Sequence, residues 1–276
     1  MHIPWFRRSF LIRRRLDRVF LDPFDAVWRA FTGRRHWPPY SLRAFVGGAK
    51  GFDQVGKWFL EELRGLGLFS RGAHILDIGC GCGRVSYTLA TDSALRALGV
   101  SYWGMDIDRA NIEWCQRNIT RQDSRFTFYH ADCYNPSYNP RGSVDAKSYR
   151  FPHPDSSFEL ILLSSVLTHV MPEELRHYLS EVSRLLAPGG VAYASFFLYD
   201  SEVQVTGGLT RHGISFPYLR DDYALNREDY PANAVAYQEA FVRAMVRDAG
   251  LRVIEPTRYG IQDLLLLATD CTQSHR

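Results

Sequence analysis

Apolar residues recur at two different periods along this chain, and the change of period divides it. Over residues 1–32 they follow helical spacing, with Ile12, Leu16, Val19 and Phe20 in one set and Phe24, Val27, Trp28 and Phe31 in the next. Pro23 lies between the sets and marks the expected break. Trp37-Pro38-Pro39-Tyr40 reads as a stiff extended connector. A further helical pattern runs from Phe52 to Leu66. From Ala73 onward short apolar runs alternate with helical stretches. The predicted strands cover 73–78, 101–106, 125–129, 158–163, 191–198, 251–256 and 261–269, with helices over 84–97, 108–120, 172–186 and 232–249. Such alternation predicts an α/β fold, a mostly parallel sheet with helices on both faces. The last two strands lie close enough in sequence for a hairpin, which makes one strand antiparallel.

This pattern predicts an N-terminal helical cap or arm over 1–70 and an α/β domain over 71–276. Two segments of that domain, 130–157 and 199–230, are too long for simple connectors. Both follow the carboxyl end of a predicted strand, the side on which open α/β sheets bind ligands.

Composition excludes more than it selects. With 276 residues, 46% apolar and 23% charged, the chain can bury a full core and is neither disordered nor a disulfide scaffold. The net charge of +3 gives no chain-wide nucleic-acid footprint. Residues 1–35, however, hold nine Arg against three Asp, a local net of +6. One reading of residues 1–20 is peripheral contact with an anionic membrane. The other is a helix packed on its own body or on a twin subunit in a homodimer, which Asp17, Asp22 and Asp25 favour by diluting the basic face. The five cysteines match no zinc framework and fit a reducing, cytoplasmic setting. Neither a secretory leader nor a membrane span is expected.

The sharpest motif is His74-Ile75-Leu76-Asp77-Ile78-Gly79-Cys80-Gly81-Cys82-Gly83-Arg84, an apolar strand entering a glycine turn and then a helix. Glycine permits positive φ and close approach of a ligand to the backbone. Asp106 ends the second strand, where a carboxylate can accept from two ribose hydroxyls. The dinucleotide pattern G-x-G-x-x-G fits neither from Gly79 nor from Gly81, so a bound pyrophosphate is not expected.

The alternating glycines with the leading acid resemble the class I S-adenosylmethionine (SAM)-dependent methyltransferases. The resemblance covers about residues 40 to 270, through Leu76–Arg84, Gly104–Asp108, Ala131-Asp132-Cys133, Phe158–Val170, Arg184–Gly190 and Gly260-Ile261-Gln262-Asp263 in order. It implies a Rossmann-like seven-stranded sheet with an antiparallel seventh strand. It also implies SAM as cofactor and S-adenosylhomocysteine as product. Gly79, Gly81 and Gly83 would pass the methionine part, with Asp77 near its ammonium. Asp106 would hold the ribose, Ile107 the adenine face, and Asp132 and Cys133 the adenine edge. Ser164 and Ser165 would lie under the sulfonium.

An alcohol acceptor needs a group to take its proton. His169, just past the fourth strand, is the candidate general base. Tyr134, Tyr149, Tyr199, His153 and His212 are candidate acceptor-binding residues, and aromatic plates beside polar groups suit a saccharide. A metal is not indicated, although Mg2+ is compatible with such chemistry. The expected partner is a small molecule rather than a nucleic acid. The leading expectation is O-methylation of a sugar or glycoside. O- or N-methylation of a non-sugar natural product or lipid-linked acceptor, and a non-catalytic SAM-binding interaction protein, are the alternatives. The arm is expected to gate the cofactor, with Tyr40, Arg43, Gly47 and Gly48 closest to it.

Overall fold

The structure is a computed structural model describing residues 12–46, 51–136, 138–200, 209–211 and 213–270. Gly47, Gly48, His212 and the first eleven residues lie outside the described residues. Seven strands form the main sheet: β1 (His74–Ile78), β2 (Ser101–Asp106), β3 (Phe126–His130), β4 (Phe158–Leu163), β5 (Leu186–Phe196), β12 (Leu251–Arg258) and β13 (Asp263–Thr269). Their order is β12-β13-β5-β4-β1-β2-β3, which is the mixed α/β sheet expected. The strand β13 runs antiparallel to both β5 and β12 and lies between them. The expected hairpin and the inserted antiparallel strand are therefore the same feature.

The chain folds as two compact units, one of Met1–Ala73 with Gly79–Asp145, the other of His74–Ile78 with Ala146–Arg276. In the first unit, residues 12–31 are helical throughout, with a π-helical stretch at Asp17–Leu21. Pro23 does not break this helix; it sits two residues past the π-helical stretch, in the first turn of Asp22–Phe31. A short turn at Tyr40–Arg43 and the helix Phe52–Gly65 follow. Asp22 and Asp25 tie the arm to that turn. Asp22 accepts from the Ser41 N–H at 2.8 Å and hydroxyl at 2.7 Å, and Asp25 accepts from the Tyr40 N–H at 3.1 Å. Arg43, 2% exposed, pairs with Asp25 and donates to the Pro38 carbonyl at 2.7 Å.

In the second unit the segment 199–230 is not one loop. It supplies β7 (Leu209–Arg211) and β8 (Ile214–Phe216), a hairpin, and β9 (Tyr218–Leu219) and β10 (Tyr223–Leu225). The latter two join β6 (Leu198–Tyr199) and β11 (Val235–Gln238) in a small sheet ordered β6-β11-β10-β9. The helix expected over 232–249 is corrected here, since only Glu239–Asp248 is α-helical. Val235-Ala236-Tyr237 pairs with Leu225-Ala224-Tyr223, and cross-strand pairing outweighs the helical spacing. Phe197, Tyr199, Phe216 and Ala236 form a core beneath this sheet.

Candidate functional site

In the first unit the glycine turn begins at Gly79, the residue after β1, and each glycine is there for its backbone. Gly79, Gly81 and Gly83 have φ of 79°, 55° and 77°, a conformation that costs any residue with a Cβ. The Gly79 and Cys80 N–H groups both donate to the Met105 carbonyl, at 2.8 and 3.0 Å. A Cβ on Gly81 would lie 2.9 Å from Val46, and one on Gly83 would lie 2.7 Å from Ile119. The turn is thus closed by the arm on one side and by a following helix on the other.

Asp106 braces this turn. Its Oδ2 accepts from the Gly81 N–H at 2.8 Å and its Oδ1 from the Asp108 N–H at 2.7 Å. Ile107 is half-buried, and its carbonyl meets the His130 ring at 3.0 Å. Asp108 caps the helix Arg109–Cys115 and forms a buried ion pair with Arg14 of the arm. Asp132 organises the loop behind β3. Its carboxylate accepts from the Ser143 hydroxyl at 2.7 Å and from the Asn139 amide at 3.1 Å. Those two bonds, Ser143 first, hold its pKa below the ordinary carboxylate value. Cys133 beside it is buried, Tyr134 is half exposed, and Asp77 is buried near the end of β1. The Cys82 thiol is pushed up to about 12 by burial, so it is a packing group and not a nucleophile.

The second unit holds its own cluster past the end of β4. Ser165 has φ of 58°, rare for a residue with a side chain. Its N–H donates to the Ser195 hydroxyl at 2.8 Å, which fixes the turn. The Ser165 and Ser195 hydroxyls both donate to Gln262 Oε1, at 2.9 and 2.7 Å. Ser164 precedes them and is half-buried. Four residues on, His169 directs Nδ1 at the Ala232 carbonyl, 3.2 Å away. A carbonyl only accepts, so Nδ1 carries the proton and Nε2 keeps its lone pair. Burial lowers the His169 pKa, against the smaller opposite effect of its backbone hydrogen bonds.

His169 and Gln262 line one cleft of about 410 Å3, together with Phe197, Ser215, Asn226 and Asn233. Asn226 is fixed by donating to the Ser215 carbonyl at 2.7 Å and by accepting from Asn233. No described residue lining the cleft carries a full charge. Gln262, Asn226 and Asn233 were not expected as site residues. The signal was available for Gln262 alone, which immediately precedes the closing strand β13.

Other candidates stand elsewhere in the second unit. His153 packs edge-on against Phe158, the first residue of β4, whereas Ser164 and Ser165 follow its last. Burial, then the Arg184 charge, lowers the His153 pKa. Tyr149 packs on Phe151, and Tyr199 is buried in the core of the small sheet. Asp155 and Glu173, carboxylates that could orient a base or hold a metal, pair with Arg184 at 2.8 Å and Lys147 at 2.5 Å.

Comparison with known proteins agrees with this architecture. The family model of the methyltransferase domain matches residues 75–190, from β1 into β5. Over that span the chain is similar to a methyltransferase domain. The chain is 26% identical to 27-O-demethylrifamycin SV methyltransferase of Amycolatopsis mediterranei, over 66% of its own length and 57% of that protein. It is 28% identical to tRNA N(3)-cytidine methyltransferase METTL2 of Gallus gallus, over 44% of its own length and 30% of that protein. The chain thus spans little more than half of the first of these relatives and less than a third of the second. Among solved structures, the PH0226 protein of Pyrococcus horikoshii superposes with a TM-score of 0.53 at 17% identity, covering 79% of this chain and 92% of that one.

The cofactor of a class I methyltransferase domain is SAM. The first unit fits it chemically. Three left-handed glycines form the turn that follows β1, and the backbone at Gly81 and Gly83 packs too closely on Val46 and Ile119 to carry a Cβ. Asp106, oriented by two N–H groups, presents a carboxylate suited to a ribose diol.

Proposed function

We propose that this protein is a SAM-dependent O-methyltransferase whose acceptor is a hydroxyl of an uncharged, polyhydroxylated small molecule, a sugar or glycoside. The observation that carries this reading is the cleft of the second unit, in which a neutral imidazole and side-chain amides meet without a charged group among the described residues. Bound SAM supplies an electrophilic methyl on a sulfonium. The protein then has two tasks, to align the acceptor and to take its proton.

Proton removal falls to His169. Its Nδ1–H is held by Ala232, so Nε2 is the acceptor position, and its lowered pKa keeps the ring neutral near pH 7. Alignment falls to Gln262 and the paired amides. Two serine hydroxyls occupy Gln262 Oε1, so the amide presents its Nε2 donors. Donors and acceptors of no net charge suit hydroxyls and disfavour ionic acceptors, which would lack a counter-charge. O-methylation also agrees with the activity named for the rifamycin relative.

Gly79, Gly81, Gly83, Asp77, Asp106, Ile107, Asp132 and Cys133 take the cofactor roles implied by the resemblance, with Ser164 and Ser165 near the methyl. Residues 1–70 act as a cap. Val46 over Gly81 and Arg14 on Asp108 support that role. A reducing, cytoplasmic setting belongs to the same reading.

The test is transfer of labelled methyl from SAM to mono- and oligosaccharides, with non-sugar alcohols, amines and tRNA alongside, with and without Mg2+. Label in a neutral hydroxyl compound supports the reading. Label confined to amines or to tRNA overturns it.

A further inference from the structure

The arm helix is amphipathic in an inverted sense. Its polar side faces the protein and its apolar side faces outward. Arg14 and Asp17 are each 8% exposed, and Asp22 and Asp25 are spent on Ser41, Tyr40 and Arg43. On the other side, Ile12, Leu16, Phe20, Phe24, Val27 and Phe31 form a stripe along the helix. Phe24 is 77% exposed and Phe31 is 88% exposed.

Steps of four residues drift by about 40° per step in an ordinary α-helix. The wider π-helical stretch at Asp17–Leu21 counters that drift midway, so the stripe stays straight. Twenty helical residues make a rod of about 30 Å. An apolar stripe of that length, with aromatic rings nearly fully exposed, is not the usual surface of a free monomer.

Arg13 and Arg15, on either side of buried Arg14, are exposed and flank the stripe. The three acids of this segment face inward, so they do not dilute the basic outer face. This removes the argument that favoured packing of the apolar side on the chain's own body.

We infer that the arm helix docks on an anionic lipid surface, with the stripe in the acyl boundary and the flanking arginines among the headgroups. Charge decides between this and a second copy of the chain. Residues 1–35 carry a net of +6, from nine Arg less three Asp, so pairing two arms brings +6 against +6. An anionic bilayer instead complements that charge. No described helix is long and apolar enough to cross a membrane, which leaves the arm in the interface plane.

Flotation of the full chain with vesicles is the experiment. One set is phosphatidylcholine alone, and the other contains phosphatidylserine or phosphatidylglycerol. Binding is expected to the anionic set only, to weaken as salt rises, and to fall at least about tenfold in the double variant Phe24→Glu, Phe31→Glu. Both side chains are exposed, so that variant keeps its fold, which a thermal melt verifies. No binding to anionic vesicles overturns the inference, as does binding that the variant leaves unchanged. A concentration-dependent dimer abolished by the variant, with no vesicle binding, overturns it in favour of a second copy.

Discussion

His169 Nδ1 lies 3.2 Å from the carbonyl of Ala232, and this contact fixes which nitrogen can accept a proton. The partner can only accept, so the protonated nitrogen is Nδ1 and the basic one is Nε2. The first expected outcome concerns pH. Burial lowers the His169 pKa below its ordinary 6.5, so the acid limb of kcat should fall below pH 6.5 and the rate should be flat near 7. The linkage has the same sign. The folded state disfavours the imidazolium, so the ring's effect on stability worsens as pH falls through the unfolded value. A kcat profile with its acid limb above 7 would contradict the assignment.

Gln262 should behave as a positioning residue. In Gln262→Ala the two serine hydroxyls lose their shared acceptor, and the cleft loses two donors. KM for the acceptor is expected to rise about tenfold, the worth of one hydrogen bond of about 1.4 kcal/mol, with SAM affinity unchanged. A fall in kcat with KM unmoved would assign Gln262 to the chemical step instead.

Gly81→Ala tests the turn. The new Cβ meets Val46 at 2.9 Å and forces a side chain into a left-handed φ of 55°, a backbone cost of about 1–2 kcal/mol. SAM affinity should drop. Adding Val46→Ala should recover the steric part and leave the backbone part. A double-mutant cycle on SAM affinity reads the two separately, and zero coupling would mean that the arm does not close the turn.

Arg43 anchors the arm from inside. It is 2% exposed, pairs with Asp25, and stacks over Trp37 with the guanidinium 5.0 Å from the ring centroid. Arg43→Ala removes one of the two guanidinium groups on Asp25, leaving Arg29 at 2.7 Å, and should cost about 1.5–3 kcal/mol in urea unfolding. Arg43→Met restores the stem but not the charge and should cost less. Equal losses would mean that packing contributes nothing.

Much of this was legible in the chain, and the reasons are local. Gly79, Gly81 and Gly83 announce their turn because only glycine adopts that backbone cheaply. The hairpin that carries β13 showed in two apolar runs separated by a short break. The small sheet did not show, because strands of two to four residues such as Leu198–Tyr199 and Val235–Gln238 carry no readable period and depend on distant partners. Gln262 was missed for a related reason. It meets Ser165 across 97 residues and Ser195 across 67, which spacing cannot reveal. In sequence, Asp17, Asp22 and Asp25 look like surface charges that dilute a basic face. Only the folded arm shows that they point inward.

The most direct test compares the wild-type chain with His169→Gln at equal SAM occupancy, measuring labelled methyl in a neutral polyol acceptor. The account expects label in a hydroxyl and a loss of about 10²- to 10⁴-fold in the variant, with SAM binding intact. Equal labelling by both proteins, or no label in any neutral hydroxyl compound while SAM remains bound, would contradict it.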